Sequence, residues 1–304
     1  MEIKNVYLKD FTKYLKAERN YSIYTIKAYS RDIIDFINFL KIDNRFYKVT
    51  KYEIRNFLKH LNKNKNLSKS SIIRKFASLR TFFRFLMINN VISKNPIEDV
   101  VVKFRKNIKV PIFLTELEIS KLLSVNNIKF RDKAIIELLY SCGLRVGELV
   151  NLDIGNVNFI LNTIHILGKG NKTRIVPIGK YCIKALSNYI FERKVLNLPH
   201  STSDPLFLNS HFNRMNQRTI RKILDSIIHK SGIKKRISPH TIRHTFATHL
   251  IDRGCDLRTV QEILGHKNLV TTQIYTHVTI STLRKIYDKS HPFIKTKKTT
   301  LKEI

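Results

Sequence analysis

Between His240 and Tyr275 lie His240, Arg243, His266 and Tyr275 in that order, a set of two imidazoles, a guanidinium and a phenol with no acidic residue at any of the four positions. Such a set suits chemistry on a phosphodiester. A guanidinium neutralises non-bridging oxygens, imidazoles move protons or donate hydrogen bonds, and a tyrosine oxygen can attack phosphorus. Upstream, the chain offers two more cations: Arg145, which follows a Gly-Leu turn at the start of a helix, and Lys172 at the exit of a glycine-rich turn. Each residue alone has an ordinary alternative. Arg145 stands three residues before Glu148, the spacing of a local ion pair. Lys172 suits a solvated hairpin lysine, or a hairpin tip that reaches a DNA groove and delivers a proton to a leaving oxygen. His266 follows Gly265 where a helix-end cap would stand, and Tyr275 is one of 12 tyrosines.

Other chemistries fit less well. His240 and His244 have the i, i+4 spacing of a zinc pair, but the hydrolase form needs Glu after the first histidine and Thr241 stands there. His244 and His249 read as structural histidines. A P-loop would need a helix after its Gly-Lys, whereas a β-branched run follows Lys172. Cys142, Cys182 and Cys255 are odd in number and form no C-x-x-C pair, so they read as core fillers in a cytosolic protein. No apolar run reaches the roughly 20 residues that span a bilayer, and the N-terminus lacks a signal-peptide core.

The chain as a whole is strongly basic. Its 304 residues carry 56 Lys+Arg against 23 Asp+Glu, a net charge of +33. Residues 1–110 hold 25 basic and 9 acidic side chains, so +16, which leaves +17 for the remainder. The drift of an AT-rich genome can favour lysine over arginine, but it does not produce such an excess over acid. A polyanionic partner, touched by both halves, is the better reading.

The elements that must position these groups are mostly helical. Leu8, Phe11 and Leu15 share one face. Ser22 caps a second helix with Ile26, Ile33, Phe36, Ile37 and Leu40 on its stripe. Thr50 and Glu53 form a capping box ahead of Ile54, Phe57 and Leu61. Ser68 caps a fourth helix through Ile72, Phe76, Leu79, Phe83 and Leu86, whose other face shows Arg74, Lys75, Arg80 and Arg84. That face suits either ordinary solvation or phosphate contact. From Pro96 to Pro111 the helical period lapses and residues 103–109 carry four bases, which reads as a linker. Beyond it, Thr115 and Glu118 box another helix, and a further helix covers Lys133–Tyr140. Two β-branched runs, Thr163–Leu167 and Thr173–Ile178, flank the turn Gly168–Asn171. These features predict a helical domain over 1–95, a linker over 96–111, a second domain over 112–294 and a solvated tail over 295–304.

Four segments, YSCGLRVGELVNL, LGKGNKTRIVPIG, PHTIRHTFATHL and DLRTVQEILGHKNLVTTQIYTHV, closely resemble the signature of the tyrosine recombinases of phage-integrase type. The stretch AERNYSIYTIKAYSRDIIDFINFL resembles that family's N-terminal core-binding domain, so the likeness spans nearly the whole chain. The nearest branch is the bacterial Xer recombinases, and DLRTVQEILGH and KIYDKSHP lean toward XerC over XerD.

The resemblance implies a mainly α fold with a small β-sheet, in which a SAM-like core-binding domain and an α+β catalytic domain form a C-shaped clamp on DNA. It implies that Arg145 and Arg243 hold the scissile phosphate and that Tyr275 attacks it, leaving a 3′-phosphotyrosyl link. Lys172 would be the acid for the 5′-oxygen, His240 would assist proton transfer at the tyrosine, His266 would hydrogen-bond the phosphate, and Glu148 would support Arg145. No metal, ATP or other cofactor is implied. The implied partners are double-stranded DNA, a homo- or hetero-tetramer with a related recombinase, and the FtsK translocase in resolving chromosome or plasmid dimers at cell division. The segment ISTLRKIYDKSHPFI would then dock into a neighbouring subunit; the plainer reading is that it packs on its own domain. A mobile-element integrase shares the chemistry. A type IB topoisomerase and a non-catalytic DNA-binding protein are the rival classes.

Overall fold

The computed structural model describes residues 6–41, 46–63, 67–98, 100, 112–168, 173–265 and 280–292. The chain divides into two compact units, Met1–Ile108 and Lys109–Ile304.

The first unit is helical: α1 (Val6–Ala17), α2 (Ile23–Leu40), α3 (Lys51–Lys63) and α4 (Lys69–Ile88). The expected caps are present. Ser22 and Ser68 accept the backbone N–H of Thr25 and Ser71 at 3.2 Å. The Glu53 carboxylate accepts the Thr50 N–H at 2.8 Å, and bonding to Thr50 holds its pKa below the usual carboxylate range. The apolar stripes meet in a core rich in phenylalanine, with Phe11, Phe36, Phe46, Phe82 and Phe83 wholly buried. Edge-on ring pairs at 5.1 Å, such as Phe11–Phe82 and Phe36–Phe57, fix its packing.

The basic face of α4 is not uniform. Lys75 is buried and donates to Asp32 at 3.0 Å, and Arg74 pairs with the same carboxylate. Asp32 comes from α2, so these two bases tie helices together. Arg80 and Arg84 are exposed, as a solvated or phosphate-facing surface requires.

The second unit is built around α6 (Phe130–Cys142), in which every residue from Ala134 to Cys142 is buried. A helix buried all round sits in the middle of its domain. Around it lie α5 (Glu116–Leu123), α7 (Val146–Val150), α8 (Lys180–Val195), α9 (Gln217–Ser231), α10 (Pro239–Asp252), α11 (Leu257–Leu264) and α12 (Ile280–Ser290). The Thr115–Glu118 capping box closes at 3.2 and 2.8 Å. The two expected strands pair antiparallel as β2 (Thr163–Leu167) and β3 (Thr173–Pro177), with Thr163 opposite Pro177. A two-residue strand, β1 (Val157–Asn158), adds to β2, and neither it nor α8 and α9 was anticipated from the sequence. Burial pushes the Cys142 thiol up to about 12 and the Cys255 thiol up to about 11, as inert core cysteines require.

Helix α12 belongs to its own unit's core. The Tyr287 hydroxyl donates to the Ser141 carbonyl at 2.8 Å, and Arg284 donates to the carbonyls of Asn162 and Ile178 at 3.1 Å. Ser290 and His291 are buried too. Removing the residues after Tyr287 therefore takes buried side chains out of this core.

Candidate active site

Helix α6 ends at Gly143, whose left-handed backbone (φ +56°) turns the chain toward α7. A methyl group at Gly143 would lie 2.5 Å from the Phe246 ring, so the turn packs directly on α10. Two residues later Arg145 caps α7, and its backbone N–H donates to Glu148 Oε2 at 2.9 Å. Its guanidinium donates to Glu148 Oε1 at 2.8 Å, the ion pair that the spacing allowed.

The same guanidinium reaches the end of α11. Arg145 Nη1 donates to the Leu264 carbonyl at 3.3 Å and Nη2 to the Gly265 carbonyl at 3.2 Å. Arg243, on α10, donates to that same Leu264 carbonyl at 2.6 Å and to the Gly143 carbonyl at 2.6 Å. Two arginines that lie 98 positions apart in sequence thus converge on one helix C-terminus. Orphan carbonyls there carry partial negative charge and welcome cations. Gly265 makes the approach possible through its left-handed conformation (φ +67°).

A third guanidinium, unanticipated from the sequence, completes the cluster. Arg174 of β3 clasps Glu148 with both Nη atoms at 3.0 and 2.8 Å, and its Nε donates to the Ile263 carbonyl at 2.9 Å. Burial by itself would raise the Glu148 pKa, but bonding to Arg174 and Arg145 holds it below the usual carboxylate range. Arg243 is pushed down to about 10 by burial and by the neighbouring Arg145, against the pull of Glu148. It stays charged at neutral pH. Three cations around one anion leave a net positive pocket suited to a phosphate.

His240 is the second residue of α10, three before Arg243, and is exposed. His249, by contrast, is buried with Nδ1 2.9 Å from the Tyr140 hydroxyl, a structural role as expected; His244 is exposed. Lys172, His266 and Tyr275 lie outside the described residues. Among the described residues, no group of three or more His, Cys, Asp or Glu side chains could hold a metal ion, and no helix is long and apolar enough to cross a membrane.

The phage integrase family profile matches residues 112–281, and the profile of the phage integrase N-terminal SAM-like domain matches residues 8–90. The chain belongs to the phage integrase family, the site-specific tyrosine recombinases. It is 41% identical over 300 residues to tyrosine recombinase XerC of Anoxybacillus flavithermus, covering 96% of this chain and 99% of that one. With tyrosine recombinase XerD of Oceanobacillus iheyensis it shares 37% identity over 292 residues, covering 94% and 98%. Among solved structures it is similar to the XerH site-specific recombinase bound to difH substrate, with a TM-score of 0.66 and 26% identity over 91% of this chain and 83% of that one.

Proposed function

We propose that this chain cuts and rejoins duplex DNA at specific sites through a covalent bond to Tyr275, and that it serves to resolve chromosome or plasmid dimers at cell division. The observation that carries this reading is the shared use of the Leu264 carbonyl by Arg145 and Arg243, which sets two guanidiniums side by side beside a single carboxylate. Arg145 and Arg243 hold the non-bridging oxygens of the scissile phosphate and offset the charge that builds on pentavalent phosphorus. The Tyr275 oxygen attacks, with His240 assisting proton transfer, and a phosphorus–tyrosine bond forms as the bond to the 5′-oxygen breaks. Lys172 protonates that oxygen, and His266 hydrogen-bonds the phosphate. The tyrosyl phosphodiester conserves the bond, so attack by a 5′-hydroxyl religates the strand.

The relatives support a particular setting. XerH is described in complex with its difH substrate, before and after cleavage. By the same logic this chain works on double-stranded DNA; the family resemblance adds a cytoplasmic setting, a tetramer of its own copies or with a related recombinase, and FtsK as the translocase it works with. Integration of a mobile element would use the same site.

Duplexes selected from a random library by affinity for Tyr275→Phe supply the substrate for the test. Nicked suicide versions should trap a covalent adduct with the wild-type chain in EDTA, and Tyr275→Phe should form none. An adduct that survives that substitution overturns the reading. Exchange of strands between two duplexes separates a recombinase from a topoisomerase. Stimulation by the motor domain of FtsK tests the last element of the setting.

A further inference from the structure

Arg174 has no part in the chemistry proposed above, yet its side chain makes as many hydrogen bonds to Glu148 and the end of α11 as that of Arg145 does, three each. Its two Nη atoms take both oxygens of Glu148, and its Nε takes the Ile263 carbonyl. The carbonyls of Ile263, Leu264 and Gly265 follow one another along the end of α11. The first is held by Arg174, the second by Arg145 and Arg243, the third by Arg145. Arg145 therefore rests on two supports, the carboxylate and the helix end, and Arg174 grips both.

Accessibility separates the roles. The Arg145 side chain is 40% exposed, open to a ligand, whereas that of Arg174 is 13% exposed and turned into the protein. Gly265 lies against it: a methyl group there would meet Arg174 Nη1 at 3.1 Å and Cζ at 3.3 Å. A planar fork with donors on two edges is needed to hold a carboxylate on one side and a carbonyl on the other. A lysine ammonium offers one centre and cannot do both.

We propose that Arg174 is a positioning residue for phosphate activation: by clamping Glu148 to the C-terminal turn of α11, it fixes the guanidiniums of Arg145 and Arg243 where the phosphate charge develops. This rests on the reading that Arg145 and Arg243 hold the scissile phosphate. The rival is a merely structural ion pair, in which Arg174 does no more than neutralise a buried carboxylate.

The two differ in how they respond to the charge on the substrate. The full-length chain is tested as wild type and Arg174→Lys, with Arg174→Gln as a second variant should the lysine form melt much lower. Adduct formation is followed in single turnovers on two nicked suicide duplexes, one with an ordinary scissile phosphodiester and one with a methylphosphonate there. The methyl group removes the negative charge that the arginines neutralise. On the phosphodiester the variant should react roughly 100-fold slower than wild type, the scale of losing one preorganised charge-stabilising contact. On the methylphosphonate, relative to wild type on the same duplex, most of that deficit should vanish, and duplex binding should match wild type throughout. An equal deficit on both duplexes, or none on either, overturns the proposal. Failure of the wild-type chain to form any adduct would instead overturn the reading on which it rests.

Discussion

Arg243 Nη1 stands 3.9 Å from Glu148 Oε2, yet its hydrogen bonds go to the carbonyls of Gly143 and Leu264, both at 2.6 Å. Glu148 therefore acts on Arg243 through charge, and the backbone sets its position. The carboxylate is already saturated by Arg145 and Arg174. Its single negative charge is the counter-charge for three guanidiniums packed at one helix end.

Replacing Glu148 by Gln should accordingly hurt twice. It leaves the buried Arg243 and the largely buried Arg174 uncompensated, which costs on the order of 3 kcal/mol where a buried partner is removed, and it should slow adduct formation by at least tenfold, the scale of lost electrostatic preorganisation. The pH dependence follows from the sign of the shift. The Glu148 pKa is lowered in the fold, so its stabilisation is present above the unfolded value near 4.5 and is lost as pH falls through the folded value. Urea unfolding of wild type and Glu148→Gln should differ clearly at pH 7 and converge below pH 4.5. A gap that persists at low pH would show that the carboxylate charge is not what matters.

Gly143→Ala tests the backbone half of the arrangement. The left-handed φ of +56° and the 2.5 Å approach to Phe246 both forbid a side chain. Strain of this kind costs about 1–3 kcal/mol, and the turn carries the carbonyl that orients Arg243. The melting temperature should fall and adduct formation should slow further than the stability loss explains. Activity equal to wild type well below the melting temperature would separate this turn from the chemistry.

In the first unit, Asp32 and Lys75 are both buried and bonded to each other at 3.0 Å. Asp32→Ala leaves a buried ammonium with only the half-exposed Asp35 beside it. A loss of about 3–5 kcal/mol is expected. The double variant Asp32→Leu, Lys75→Met removes both buried charges and should be more stable than Asp32→Ala alone, because no buried ammonium remains and Arg74, which loses Asp32 in both variants, is 41% exposed and reaches solvent. Urea midpoints of the three chains decide it; a double variant less stable than the single one would sink the argument.

These contacts also show what the sequence can and cannot announce. Capping boxes such as Thr115–Glu118 are local, so three-residue spacing was enough to place them. Arg145 and Arg243 stood out because each sits at a helix start or on a helix face beside other reactive residues. Arg174 did not, because an arginine in a short strand reads as the solvent side of an alternating pattern, and the carboxylate it serves is 26 residues away. Lys75 misled in the opposite way: its face of α4 is basic in sequence, and only the packing of α2 turns it inward. Strand β1 has two residues, too few for any alternation to register. What was hidden in each case was a partner from another element.

His291 offers a prediction about acid. It is buried at the end of α12, its ring stacked on Tyr287 with centroids 4.8 Å apart, and Tyr140 and Phe246 close in at 5.3 and 6.0 Å. Among the described residues, neither ring nitrogen has a hydrogen-bond partner. Burial pushes its pKa down to about 3, with the charges of Arg253 and His249 adding to the effect. A folded value below the unfolded one near 6.5 means that the unfolded chain takes up a proton the native chain refuses. Stability is full above that unfolded value and should fall as pH drops from about 6.5 toward 3, at up to about 1.4 kcal/mol per pH unit from this one group. His249, also depressed by burial, adds to the slope in the upper part of the window. His291→Phe keeps a ring in the stack and removes the proton site. Its urea-derived stability, measured at intervals from pH 7 to pH 4, should decline with a visibly shallower slope than wild type. Parallel curves would mean that His291 is not the group that binds the proton on unfolding.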